Sequence, residues 1–268
     1  MFSLAREPQG IGKLLDSGFR LFIAGFKPAV VFAFVMALVS AAPRFLLPWF
    51  ARGEAPPDPA AAFLSLGVMM VATLLVSALV IGALIYVYGH VAAGRQVTLG
   101  QALGAAVDRL PTLIGAMVLY MLAVMLGLIL LIIPGLILML SLMLYSPIVM
   151  LEKERAYAAL RKSHRLVWGN WWRSAIVLTV PFVIFIVVGA IIGTLAIVAF
   201  GIGAVAGDPA NADPTILLIS TLFEVLGNTI GIPLITAITV VLYNDLRLRK
   251  QGGDLAQRMQ AQAAPQRA

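Results

Sequence analysis

Side chains able to do chemistry are sparse in this sequence, and the most conspicuous is an acid inside an apolar run. Glu224 stands some nine residues into the stretch 215–243, about 14 Å along a helix and near the middle of a bilayer. Ionisable residues are rare in such a setting and count as functional candidates by default. Thr221, Asn228 and Thr239 fall on the same side of that helix, so the acid faces other helices or water, not lipid. Glu224 and Asn228 therefore form either a hydrogen-bonded structural pair or part of a proton or ion path, and such paths ordinarily use several groups of this kind.

A second concentration is Arg161, Lys162, His164 and Arg165, followed by Trp168, Trp171 and Trp172. Basic charge beside indole rings is the composition of a membrane–water boundary. Anionic lipid headgroups fit Arg161, Lys162 and Arg165, at about 1 kcal/mol per basic residue near a charged surface. Simple topological anchoring uses the same residues.

Enzyme chemistry finds little support. His90 and His164 lie in separate segments with no fixed spacing to a nucleophile or a pair of carboxylates. Gly201, Gly203 and Gly207 miss the dinucleotide-binding spacing. Cysteine is absent, which removes thiol nucleophiles and thiolate metal sites. No catalytic residue, cofactor site or metal site is expected, and the chain reads as a non-enzyme.

The elements that carry these residues follow from composition. Of 268 residues, 61% are hydrophobic and 12% charged, about half the charged share that a soluble domain keeps on its surface. Mean hydropathy is +1.00. The net charge of +7 does not point to nucleic acid, because the basic residues sit between apolar runs, where they set orientation or meet lipid. Those runs fall at about 28–50, 61–89, 111–133, 135–151, 174–200 and 215–243, which predicts an all-α polytopic membrane protein of six spans within one domain, 1–250. Read as one helix, 111–151 would be about 60 Å long, so a hairpin turn is expected at Pro134-Gly135. The apolar stretch from Ala29 resumes at Phe45 and is expected to span instead of being cleaved as a leader.

Alternate sides of this six-span pattern differ sharply in charge: all but Arg44 and Arg52 of the 19 Lys and Arg residues fall on one side. The positive-inside rule then places that side, with both termini, in the cytoplasm of a bacterial inner membrane. The loops 53–59 and 207–214 read as short outer spacers, and 251–268 as a polar, disordered cytoplasmic tail. Three cytoplasmic segments preceding outward-going spans carry helical apolar patterns: Ile11 to Phe26, Leu99 to Leu110, and Tyr157 to Trp168. Each holds an Arg-Leu pair, at Arg20-Leu21, Arg109-Leu110 and Arg165-Leu166. They are expected to be amphipathic helices in the interface, the second opened by a capping box at Thr98-Leu99-Gly100-Gln101. Gly189 and Gly193 on span five, with Gly227 and Gly231 on span six, are spaced for close helix packing.

Ile133-Pro134-Gly135, Pro147, Glu152, Ala159-Leu160-Arg161-Lys162-Ser163, Leu166, Gly169, Trp171 and Trp172 recur in an order that resembles a bacterial membrane-protein family. Leu242-Tyr243-Asn244-Asp245-Leu246-Arg247-Leu248-Arg249 and the segment Ile11 to Phe26 complete the likeness. That family is related to the membrane domain of glycerophosphoryl diester phosphodiesterases. Some of its members carry a fused phosphodiesterase domain, which this sequence lacks, so the resemblance implies no phosphodiesterase activity. The expected role is a membrane scaffold or a module interacting with lipid or a protein partner. The rival is a transporter or flippase-like protein with a cavity around Glu224.

Overall fold

The computed structural model describes residues 7–46, 58–200 and 214–263. It is all-helical there: α1 Ile11–Leu46, α2 Pro59–Ala92, α3 Leu99–Leu130, α4 Ile132–Leu142, α5 Tyr145–Glu152, α6 Ala156–Val167, α7 Trp171–Phe200 and α8 Pro214–Ala263. Six stretches are long and apolar enough to cross a bilayer: Ile11–Pro43, Pro59–Ala92, Leu99–Leu130, Ile132–Glu152, Trp171–Ile191 and Thr221–Gly252. The six-span all-α architecture read from the sequence is thus the one observed. The loops expected on the outer side, 53–59 and 207–214, apart from their last residues, and the end of the first span lie outside the described residues, as does the glycine pattern at 201–207.

Local chemistry sets several helix ends. Asp58 caps α2 by accepting from the Ala60 amide at 2.9 Å, with Pro59 at the first helical position, where its missing N–H costs nothing. At α3 the expected capping box forms: Thr98 Oγ1 accepts from the Gln101 amide and Gln101 Oε1 from the Thr98 amide. The α3–α4 hairpin turns at Leu131, which is extended with φ −163° and ψ 143°. The break thus lies upstream of Pro134-Gly135. Proline is tolerated in the first turn of α4, where its absent donor leaves no bond unmade. Gly135 serves the closeness of the two arms instead, since a Cβ there would stand 2.5 Å from Leu128 Cδ2 and 2.7 Å from its backbone nitrogen.

The amphipathic segments differ from expectation in an instructive way. Only the third is a helix of its own, α6, joined to α7 through Gly169 in the left-handed region at φ 88°. The first two run straight into their spans through Pro28 and Pro111. The first has its apolar face covered by neighbouring helices: Leu14 and Leu21 are fully buried, and Gly18 sits so close to α8 that a Cβ would stand 3.3 Å from Ile238 Cα; the second buries Ala102 and Ala106 instead, and its expected apolar face, Leu99, Leu103 and Val107, is exposed. The last helix likewise persists to Ala263, past the expected boundary at 250.

Packing is uneven along the bundle. The half bearing the basic segments holds the fully buried side chains, among them Leu14, Leu84, Tyr88, Leu113, Ile148, Ile238 and Leu246. The opposite half turns Phe34, Phe63, Met70, Leu126, Ile129 and Leu222 outward. An apolar surface of that extent is untenable in water and natural in lipid.

Candidate functional site at the basic end of the bundle

The fourth span is not one helix but two, α4 and α5, separated by a turn at Met143 and Leu144. A broken helix inside a membrane must have its freed backbone groups met by protein. The buried hydroxyl of Ser163, on α6, does this. It donates to the Ser141 carbonyl at 2.7 Å and accepts from the Leu144 amide at 3.1 Å. His164, the next residue, places Nδ1 3.1 Å from Ser141 Oγ. The buried face of α6, Ala159, Leu160, Ser163, Leu166 and Val167, is therefore pinned to the break.

The part of α8 at the basic end of the bundle is a hub of charge. Tyr243 and Asp245, two residues and about 200° apart around the helix, hold different parts of the bundle. The Tyr243 hydroxyl donates to Glu152 Oε1, and the Lys162 ammonium donates to Glu152 Oε2 while reaching Glu154 at 3.5 Å. Asp245 Oδ1 accepts from the Gln9 amide at 2.8 Å, and its Oδ2 accepts from Arg173 Nε at 3.0 Å and Arg249 Nε at 2.9 Å. Both guanidinium groups also donate to the Gln9 carbonyl. Asp245 is 3% exposed, a depth at which a carboxylate persists only when paired and hydrogen-bonded. Neither Ser163 nor Asp245 stands out in the sequence as a functional candidate. The i, i+4 pairing of Asp245 with Arg249 was the signal available.

Beside this hub lies a cleft of about 590 Å³ lined by Lys162, His164, Arg165, Leu166, Trp168 and Lys250. Of the expected lipid-contacting residues, Lys162 and Arg165 meet here, whereas Arg161 is exposed and not part of the wall. Lys162 is already engaged by Glu152 and Glu154. The charge offered by the cleft therefore comes from Arg165, which makes no ion pair among the described residues, and from Lys250, whose ammonium donates to the Trp168 carbonyl at 3.1 Å. The His164 ring stacks 5.1 Å from the Trp168 ring, so the walls are aromatic as well as basic. His90 is occupied elsewhere, with Nδ1 2.9 Å from the Tyr86 carbonyl. Among the described residues no three His, Asp or Glu side chains gather as metal ligands would.

Comparison with known proteins agrees with this architecture. The model of a family described as "Uncharacterised protein family (UPF0259)" matches residues 57–223, more than half of the chain. The chain belongs to the UPF0259 family. A UPF0259 membrane protein of Photorhabdus laumondii is 30% identical over 94 residues, which is 35% of this chain and 37% of that relative. No solved structure matches. This UPF0259 member is a multi-pass membrane protein, and the family description attaches no catalytic activity to it. The matched range includes α6 with Ser163 and Arg165 but stops short of Tyr243, Asp245 and Lys250.

Glu224 and Asn228 are both half-buried on α8. Neither lines the cavity inside the spans, whose α8 wall is Ile232, Ile235, Thr236 and Thr239. Gly189 lies against the Phe223 ring, with 3.7 Å from a notional Cβ to Cζ. Gly227 and Gly231 are half-buried. The surroundings of Gly193 lie outside the described residues.

Proposed function

We propose that this chain is a non-enzymatic membrane module that gathers anionic phospholipid headgroups at the basic end of its bundle, with that end and both termini on the cytoplasmic side of a bacterial inner membrane. The observation that carries the reading is the contrast among its cations. Lys162 is spent on the half-buried Glu152, and Arg173 and Arg249 on the buried Asp245, whereas Arg165 and Lys250 are left to line an aromatic cleft without a carboxylate partner among the described residues. Two such charges attract a phosphate at a membrane surface by about 1 kcal/mol each. Orientation rests on the bias of Lys and Arg to one side of the six spans.

Lipid extracted from the protein after purification in mild detergent tests the proposal. Anionic phospholipid should be enriched over its share of the source membrane, and the enrichment should disappear in the double variant Arg165→Gln, Lys250→Gln. Equal lipid composition in the protein-bound and bulk fractions would refute it.

A further inference from the structure

Within the spans, a cavity of about 310 Å³ opens where α4 gives way to α5. Its walls come from α2, α3, the break itself and α8, with Met117 and Met121 on α3, Met143 and Ser146 at the break, and Ile235 and Thr236 on α8. Three hydroxyls at its edge are turned into backbone: Thr236 and Thr239 each donate to the carbonyl four residues earlier at 2.7 Å, and Tyr120 donates to the Met139 carbonyl at 3.3 Å. Apart from the hydroxyls of Tyr145 and Ser146, what remains to face the space is almost entirely carbon.

We propose that this cavity is a binding site for a single hydrocarbon chain, the acyl tail of a membrane lipid. Water is a poor occupant, because among the lining side chains only the Tyr145 and Ser146 hydroxyls are left to meet it, fewer than the roughly three partners that a buried water takes. An empty volume of this size forfeits the dispersion contacts of its whole lining. The volume lies at the small end of the range of ligand sites. Hydrocarbon has access: Met121, one of the lining residues, is 45% exposed on the outward face of α3, and α3 and α8 pack against α2 rather than against each other. Methionines at Met117, Met121 and Met143 suit a flexible chain, since their unbranched side chains adapt to irregular shapes. The site depends on the broken span, because Met143 and Ser146 reach it only where the fourth span is divided.

The test is photolabelling in phosphatidylcholine vesicles doped with phosphatidylcholine that carries a diazirine at the end of one acyl chain. The headgroup is zwitterionic, so the result is independent of the anionic cleft. Mass spectrometry of the labelled chain should find adducts on the half-buried Met143 and Ile235. Those adducts should fall to background in Ser146→Leu, which fills the cavity, while labelling of the outward-facing Leu126 and Ile129 persists. Thr236→Leu fills the same space from α8 and serves if Ser146→Leu does not fold. Adducts confined to Leu126, Ile129 and similar outward residues in the unaltered protein would overturn the proposal. So would unchanged labelling of Met143 in a folded filling variant.

Discussion

Ser163 donates to the Ser141 carbonyl at 2.7 Å across the gap between α6 and α4, and with this bond the basic helix outside the spans secures a break inside one of them. The same oxygen receives the Leu144 amide, so one buried hydroxyl meets two backbone groups that a continuous helix would have paired itself.

Ser163→Ala removes both bonds and leaves a buried carbonyl and amide without this partner, a cost of about 1–3 kcal/mol. Thermal melts in detergent should show a clear fall in midpoint. Ser65→Ala is the control, because that hydroxyl bonds only the Ala62 carbonyl of its own helix at 2.9 Å, and its effect should stay within about 0.5 kcal/mol. Equal melts for the two variants would mean that the break is held by packing alone.

Asp245→Ala strands the Arg173 guanidinium, whose side chain is 15% exposed, together with the Gln9 amide. Breaking a buried pair of this kind costs about 3–5 kcal/mol. Arg249→Ala should cost much less, because Arg249 is 31% exposed and Arg173 still satisfies the carboxylate. Chemical denaturation of both variants checks the order, and a larger loss for Arg249→Ala would contradict the assignment of Asp245 as the centre of the cluster.

The six spans were legible in the sequence because hydrocarbon admits little but helices, and apolar runs report their lengths directly. Thr98 and Gln101 announced their capping box for a similar reason, since the whole device lies within four residues. The break at Met143 was legible only in part. Pro147 is its local mark, since it removes the N–H that would bond the Met143 carbonyl, but Ser163, which meets the neighbouring freed groups, lies some twenty residues away. Pro134 misled in the opposite sense: proline reads as a breaker, yet the chain had already turned at Leu131 and used it in a first helical turn. In the candidate site, Arg165 and Trp168 were visible as charge and aromatic at a boundary. Lys250 joins them only because α8 returns to the same end of the bundle.

Gly135→Ala should be far more damaging than Gly189→Ala. The new methyl at 135 would meet Leu128 side chain and backbone within 2.7 Å, an overpacking worth about 1–3 kcal/mol. At 189 it would meet only the edge of Phe223 at 3.7 Å, while alanine improves helix propensity by up to about 1 kcal/mol. Melts of the two variants in one detergent decide this. A reversed order would make the approach of spans five and six, not the α3–α4 hairpin, the contact that governs stability.

Because the sequence contains no cysteine, single cysteines at Gly53, Asn211 and Gly253 can report sidedness. An impermeant thiol reagent added to intact cells with a permeabilised outer barrier should label Gly53→Cys and Asn211→Cys but not Gly253→Cys. Labelling at 253 would reverse the proposed orientation and remove the cleft from the cytoplasmic leaflet.

Headgroup capture at the cleft of Arg165 and Lys250 is tested most directly by native mass spectrometry of the purified protein titrated with phosphatidylglycerol or phosphatidylcholine. Phosphatidylglycerol should bind with the higher affinity, weaken as salt is raised, and lose about 30-fold in affinity in the Arg165→Gln, Lys250→Gln variant, the equivalent of two charges at about 1 kcal/mol each. Equal affinity for the two lipids, or an unchanged phosphatidylglycerol affinity in the folded double variant, would contradict the account.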